Sequence, residues 1–256
     1  MKLKNTLTLV AAFFTVSANA SPTVAVLGAP DIESWNQDVA AKLMGTGLFS
    51  QVDTYDVATS IPSLSTLEQY SAVIAYSDSG FMEGVPLGNE LADYVDAGGG
   101  VVEAVFANAS IPIGGRYSTG GYQGINPTGQ TEDIELTLGA INDPGSPIMA
   151  GVSSFDGGFS SYHSTGGIIN GGHLVASWSD GSPLVVTTAV NGHTTVDLNF
   201  FPVSSDARSD FWTSSTDGAL LMANALIFAA NPVPEPSSLA LAGLSGLGLL
   251  LCRRRK

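Results

Sequence analysis

Cysteine is all but missing. The chain of 256 residues has one, Cys252. Residues 21–231 therefore offer no disulfide, no thiolate metal ligand and no cysteine nucleophile, and an ordinary core must hold them. Positive charge is the second scarcity, with nine Lys and Arg against 23 Asp and Glu. Six of those nine lie at the two ends, as Lys2, Lys4, Arg253, Arg254, Arg255 and Lys256. Residues 21–231 keep Lys42, Arg116 and Arg208 against 22 acids, a formal charge of −19. A surface so acidic repels phosphate backbones, which excludes nucleic acid as a partner. It suits solubility first and attraction of divalent cations second. Phosphate-cradling glycine loops, calcium-loop spacing and the dinucleotide fingerprint are all missing. His163, His173 and His193 follow no short metal-ligand spacing, so neither a metal nor a cofactor is expected.

What is present begins with the ends. Lys2 and Lys4 precede an apolar stretch, Leu7–Val16, and Ala18-Asn19-Ala20 forms a small-x-small cleavage site before Ser21. This pattern predicts a secretory signal peptide over residues 1–20, removed by signal peptidase. The tail, residues 232–256, reads Val233-Pro234-Glu235-Pro236-Ser237-Ser238, then the run Leu239–Cys252, then Arg253-Arg254-Arg255-Lys256. Pro234 and Pro236 bar a regular helix and keep the collar extended for a processing enzyme. The fourteen-residue run gives a helix of about 21 Å. That falls short of the roughly 20 residues of a comfortable bilayer span. The basic stop holds its own end on the cytoplasmic side. A transient inner-membrane anchor fits these features better than a lasting single-pass one.

Collar, short hydrophobic helix and Arg cluster, in that order, closely resemble the PEP-CTERM sorting signal of Gram-negative bacteria. The resemblance implies recognition by an exosortase, an integral-membrane transpeptidase-like protease. It further implies export to the cell surface or the extracellular polymer matrix.

Residues 21–231 alternate strand and helix signals. Thr23–Ala29 and Ala72–Tyr76 are short, almost wholly apolar runs of the kind a buried parallel strand requires. Ile32, Trp35, Val39 and Leu43 recur at helical spacing after Asp31, an expected N-cap. Gln51–Val57 predicts a second strand, Gly88–Ala97 a helix and Val101–Phe106 a fourth strand. Ser110–Gln130 is glycine-rich without periodicity and reads as a long surface loop. Ile134–Ile141, Leu174–Trp178 and Leu184–Val190 predict later strands. Asn191-Gly192 joins the last of these to Thr194–Phe200 as a tight hairpin. Asp217–Ala230 closes with an apolar-faced helix. The βα pattern predicts an α/β fold: a flavodoxin-like, mostly parallel sheet flanked by helices, with a C-terminal β extension.

The segments Leu91–Val102, Leu138–Val152, Ala176–Val185, Asn191–Phe200 and Asp217–Ala230 resemble the class I glutamine-amidotransferase-like fold, and within it the trehalose-utilisation (ThuA-like) branch. The working enzymes of that fold use a cysteine on a Gly-x-Cys-x-Gly turn, paired with histidine. Here the strand after Gly100 continues Val-Val-Glu-Ala-Val-Phe-Ala-Asn, and no Gly-x-Ser-x-Gly elbow replaces it. Glutaminase chemistry is excluded.

Ligands of open parallel sheets bind beyond the strand carboxyl ends. Those ends carry Asp31, Asp78 and Asn108, with His163 a further candidate. Asp31 and Asp78 are candidates for an acid/base pair or a cation site, or serve only in capping and turns. Trp35, Tyr117, Tyr122 and Trp212 could stack on sugar rings or pack structurally. The expectation is an exported, non-catalytic binding or structural module, possible partners being exosortase, signal peptidase and extracellular polysaccharide. The alternative is a secreted hydrolase or sugar-modifying enzyme with its site at the strand ends.

Overall fold

Residues 21–230 are described by a computed structural model. The expected signal peptide and the sorting tail with its hydrophobic helix lie outside the described residues.

The first apolar run forms β1 (Thr23–Ala29), buried at every position after Thr23. There follow α1 (Ser34–Gly45), β2 (Gln51–Asp56), α2 (Leu64–Leu67), β3 (Ala72–Ser77), α3 (Gly84–Asp96) and β4 (Gly100–Ala104). The four strands pair in parallel, with β1 between β2 and β3 and with β4 beyond β3. Consecutive parallel strands need crossovers, and the three helices supply them. Helix α1 starts later than expected. Asp31 and the exposed Ile32 precede it, and Glu33 occupies the N-cap position without a side-chain cap bond. Trp35, Val39 and Leu43 keep the buried stripe because their four-residue spacing returns them to one face.

The rest comprises α4 (Gly115–Thr119), β5 (Gln130–Thr131), β6 (Leu138–Ile141), a 3-10 turn at Pro147–Met149, β7 (His163–Ser164), β8 (His173–Trp178), β9 (Pro183–Val190), β10 (His193–Leu198) and α5 (Gly218–Ala230). The main sheet runs β2-β1-β3-β4-β10-β9-β8-β6. Strand β10 is its seam, parallel to β4 and antiparallel to β9. The fold is thus the expected α/β one, a large and mostly parallel sheet between helices, extended by an antiparallel meander. Asn191 and Gly192 turn the β9–β10 hairpin with φ of 50° and 82°. Both values are positive, as the two-residue primed turn demands.

Period-two alternation sorts each strand's side chains onto two faces. Val24 and Val26 of β1, Ile74 and Tyr76 of β3, and Val102 and Ala104 of β4 pack with α1 and α5. Ala25, Leu27, Val73 and Val101 face α2, α3 and α4. The second face holds the main departure from expectation. Ser110–Gln130 is a cover over the sheet, not a surface loop. Its Ile113, Tyr117, Tyr122 and Ile125 are each at most 1% exposed. Tyr117 and Tyr122 stack with ring centroids 5.5 Å apart. Gly124 lets the cover touch the strands. A Cβ there would come within 2.4 Å of Thr188 Oγ1 and 2.9 Å of Asp197 Oδ2.

Candidate functional site

Chain reversal places α1 on one sheet face and α2 and α3 on the other. The switch falls between β1 and β3, where a crevice opens past the strand carboxyl ends. A cleft of about 170 Å³ lies past the carboxyl ends of β3 and β4. Asp78 follows β3, Phe106 follows β4 and Gln130 opens β5, while Glu132, Tyr162 and Arg208 come from later loops. Arg208 is anchored by Asp210, with Nε 2.7 Å from one carboxylate oxygen and Nη2 2.9 Å from the other. Its guanidinium lies 4.8 Å from the Phe211 ring centroid. Tyr162 meets Phe106 edge-on at 5.2 Å. Ser110 Oγ donates to Gln130 Oε1 and joins the two ends of the cover beside the cleft.

Of the expected site residues, Asp78 lines the cleft and Asp31 lies near it. The Asp31 backbone and the Asp31 charge both lie close enough to act on the Asp78 carboxylate. Burial, and then that charge, hold the Asp78 carboxyl above the usual range, while Arg208 and the Asp31 N–H pull it down. The other two candidates are absorbed elsewhere. Asn108 is fully buried, and its Nδ2 donates to Leu198 O at 3.3 Å and to Glu103 O at 3.5 Å. His163 is 3% exposed, with Nδ1 2.7 Å from Ser161 O. A carbonyl only accepts, so Nδ1 carries the hydrogen. The imidazole packs beside Trp178. Trp35, Tyr117, Tyr122 and Trp212 are buried and unavailable for stacking on a sugar. His173 pairs with Asp143 at 3.1 Å, and His193 opens β10 beside the hairpin turn. The N-cap position of α1 falls to Glu33, not to Asp31.

A second acid pair escaped the reading of the sequence. Glu103 on β4 and Asp197 on β10 stand opposite each other in register, 0% and 1% exposed. Glu103 Oε1 accepts from Gln123 Nε2 at 2.9 Å, and Asp197 Oδ2 accepts from the Gly124 N–H at 2.8 Å. Both donors belong to the cover. Burial raises both carboxyls above the usual range, Glu103 the further, with an added push from the Asp197 charge. A signal existed in the sequence: an acid within the apolar run Val101–Phe106 is costly to bury unless something meets it.

With this geometry in view, comparison with solved structures gives the class of the body. It is similar to a ThuA-like protein of Parabacteroides merdae, at 15% identity and TM-score 0.55, over 84% of this chain and 92% of that one. It is similar to a cytoplasmic protein of Salmonella typhimurium, at 14% and 0.59, over 80% and 98%. A glutamine amidotransferase of Thermotoga maritima matches at 12% and 0.51, over 75% and 81%. Residues 21–230 thus have the ThuA-like, amidotransferase-like fold, and likeness at this identity extends to fold alone. The tail is more particular. Residues 232–256 match the PEP-CTERM protein-sorting motif. That motif marks an exported protein, processed by an exosortase and sorted to the cell surface. No curated protein matches the chain by sequence. Among the described residues no helix is long and apolar enough to cross a membrane.

Proposed function

We propose that this exported chain is a non-catalytic binding module of the cell surface or extracellular matrix. Its ligand site is the cleft at the strand carboxyl ends, and its ligand class is extracellular polysaccharide. The cleft itself supports this reading. Asp78, Gln130, Glu132, Tyr162 and Arg208 present donors and acceptors for hydroxyl groups around a floor that includes Phe106. Such a lining of a few convergent polar groups about an apolar surface suits a small ligand or one residue of a chain. The cleft has no cysteine, and two of the four candidate catalytic side chains are spent in the interior. Calorimetric titration of the processed protein with matrix polysaccharide from its host tests the idea. Binding that weakens at least tenfold in Asp78→Ala is expected. No binding by the wild type, or binding indifferent to Asp78→Ala and Arg208→Ala, sinks it.

One observation favours a second reading, that of a hydrolase or sugar-modifying enzyme. Asp78 and Asp31 lie together, and the raised Asp78 carboxyl suits a general acid. Release of reducing ends from the same polysaccharide, abolished in Asp78→Asn, would replace the binding module with the enzyme.

A further inference from the structure

Glu103 and Asp197 form an unusual pair: two carboxyls side by side in the middle of a sheet, sealed from water. Each spends one oxygen on the cover, Glu103 on Gln123 and Asp197 on Gly124. The remaining oxygens, Glu103 Oε2 and Asp197 Oδ1, receive no donor from any other described residue. The two side chains are nevertheless within hydrogen-bond reach of each other. Two bare carboxylates cannot share such a space, because like charges at this range and burial repel strongly.

No cation relieves them. Among the described residues Lys42 pairs with Asp206, Arg116 with Asp93 and Asp96, and Arg208 with Asp210. His163, His173 and His193 are placed elsewhere, as described above. The groups around the pair are Tyr117, Gln123 and the Gly124 and Ile125 N–H groups from the cover, with Thr195 of β10, Thr188 of β9 and Asn108 after β4. Of these only Tyr117 titrates. Burial first, and then the two acids, raise its phenol far enough to keep it neutral.

We propose that Glu103 and Asp197 hold a single proton between them, and that this proton is a clasp fastening the 113–125 cover to the β4–β10 seam. Asp197 takes the charge, because the Gly124 and Ile125 N–H groups and Asn108 stabilise its ionised form. Glu103 keeps the proton and donates it to Asp197, which gives both leftover oxygens a partner. The site admits no substrate, since both acids are sealed beneath Tyr117 and Gln123. It is a conformational device of the fold. Losing the proton leaves two adjacent negative charges in the interior, which only opening of the cover can hydrate.

The sign of the pH dependence follows from the folded state holding this proton more tightly than the unfolded chain. The clasp's stability is complete below the unfolded carboxyl range and is lost as pH rises toward the folded values. Carboxylates held low by hydrogen bonds, such as Asp96 and Asp217, have finished titrating below pH 5. The raised acids Asp38 and Asp78 affect wild type and variant alike.

The test uses the full chain in a mild detergent, as wild type and as Glu103→Gln. Glutamine keeps the shape, the acceptor for Gln123 and a donor for Asp197, but cannot titrate. The wild-type melting temperature should fall between pH 5 and pH 9 by roughly 4 °C per pH unit while the proton is held. The variant, with Asp197 as the pair's one remaining acid, should be flatter above pH 7. Infrared spectra at pH 7 should show the C=O stretch of a protonated carboxyl in the wild type and lose it in the variant. Amide exchange at Gly124 and Ile125 should quicken at least tenfold from pH 7 to pH 9, after correction for intrinsic rates, only in the wild type. Should the variant fail to fold, the wild-type infrared band still decides. A wild type without that band, equal pH slopes in the two proteins, or a melting temperature raised by added calcium would overturn the clasp.

Discussion

Two acid pairs sit on this sheet, and the same chemistry has opposite consequences in them. Asp31 and Asp78 lie past the strand ends, where water and Arg208 moderate their repulsion and a cleft gives access. Glu103 and Asp197 lie within β4 and β10, each one residue short of the strand end but beneath a cover, with access for neither solvent nor ligand. Their repulsion is relieved by a proton and by donors from the cover. Strand ends leave carboxylates free to act on something outside the protein. Positions just inside the strands, under the cover, turn them into internal fasteners. The glutamine, glycine and tyrosines of the cover make that difference, by sealing one pair and leaving the other open.

The largest effect should come from breaking the internal pair. Asp197→Ala strands the Gly124 N–H group and leaves Glu103 without its partner. A loss of about 3–5 kcal/mol is expected by urea denaturation. A loss under about 1 kcal/mol would mean that the interior pair carries no more weight than the exposed one. Forcing the cover off the strands comes next. Gly124→Ala puts a methyl group against Thr188, Val186 and Asp197, at a cost of about 1–3 kcal/mol.

A gain should follow from removing an unmet polar atom beside the pair. Thr188 Oγ1 is buried without a hydrogen-bond partner among the described residues. Thr188→Val should raise stability by about 1 kcal/mol, read from the same denaturation curves. The smallest effect belongs to the open pair. Asp78→Asn should leave stability within about 0.5 kcal/mol of wild type, as substitutions outside a packed core do. A large loss there would erase the contrast and make Asp78 structural.

The strands were readable where burial and periodicity agree. Thr23–Ala29, Ala72–Ser77 and the Asn191-Gly192 hairpin fall where apolar runs and left-handed turn residues put them. The cover was not. Its glycines and lack of period look the same whether a segment wraps solvent or a sheet, and only Tyr117 and Tyr122 lying inward tells the two apart. The cleft was half readable. The strand-end rule located Asp31 and Asp78, yet it also pointed to Asn108, whose side chain turns inward toward Leu198 and Glu103.

Local information was enough for the elements, the hairpin, the missing thiol chemistry and the sorting tail, because each rests on residues adjacent in the chain. The Pro-Glu-Pro collar, the apolar run and the Arg cluster act as a linear signal. The Glu103–Asp197 pairing required the β4–β10 register, and its sealing required a third segment laid across both strands. Whether an acid is a ligand group or a fastener depends on its access to water, a property of the packed molecule and of no single stretch of residues.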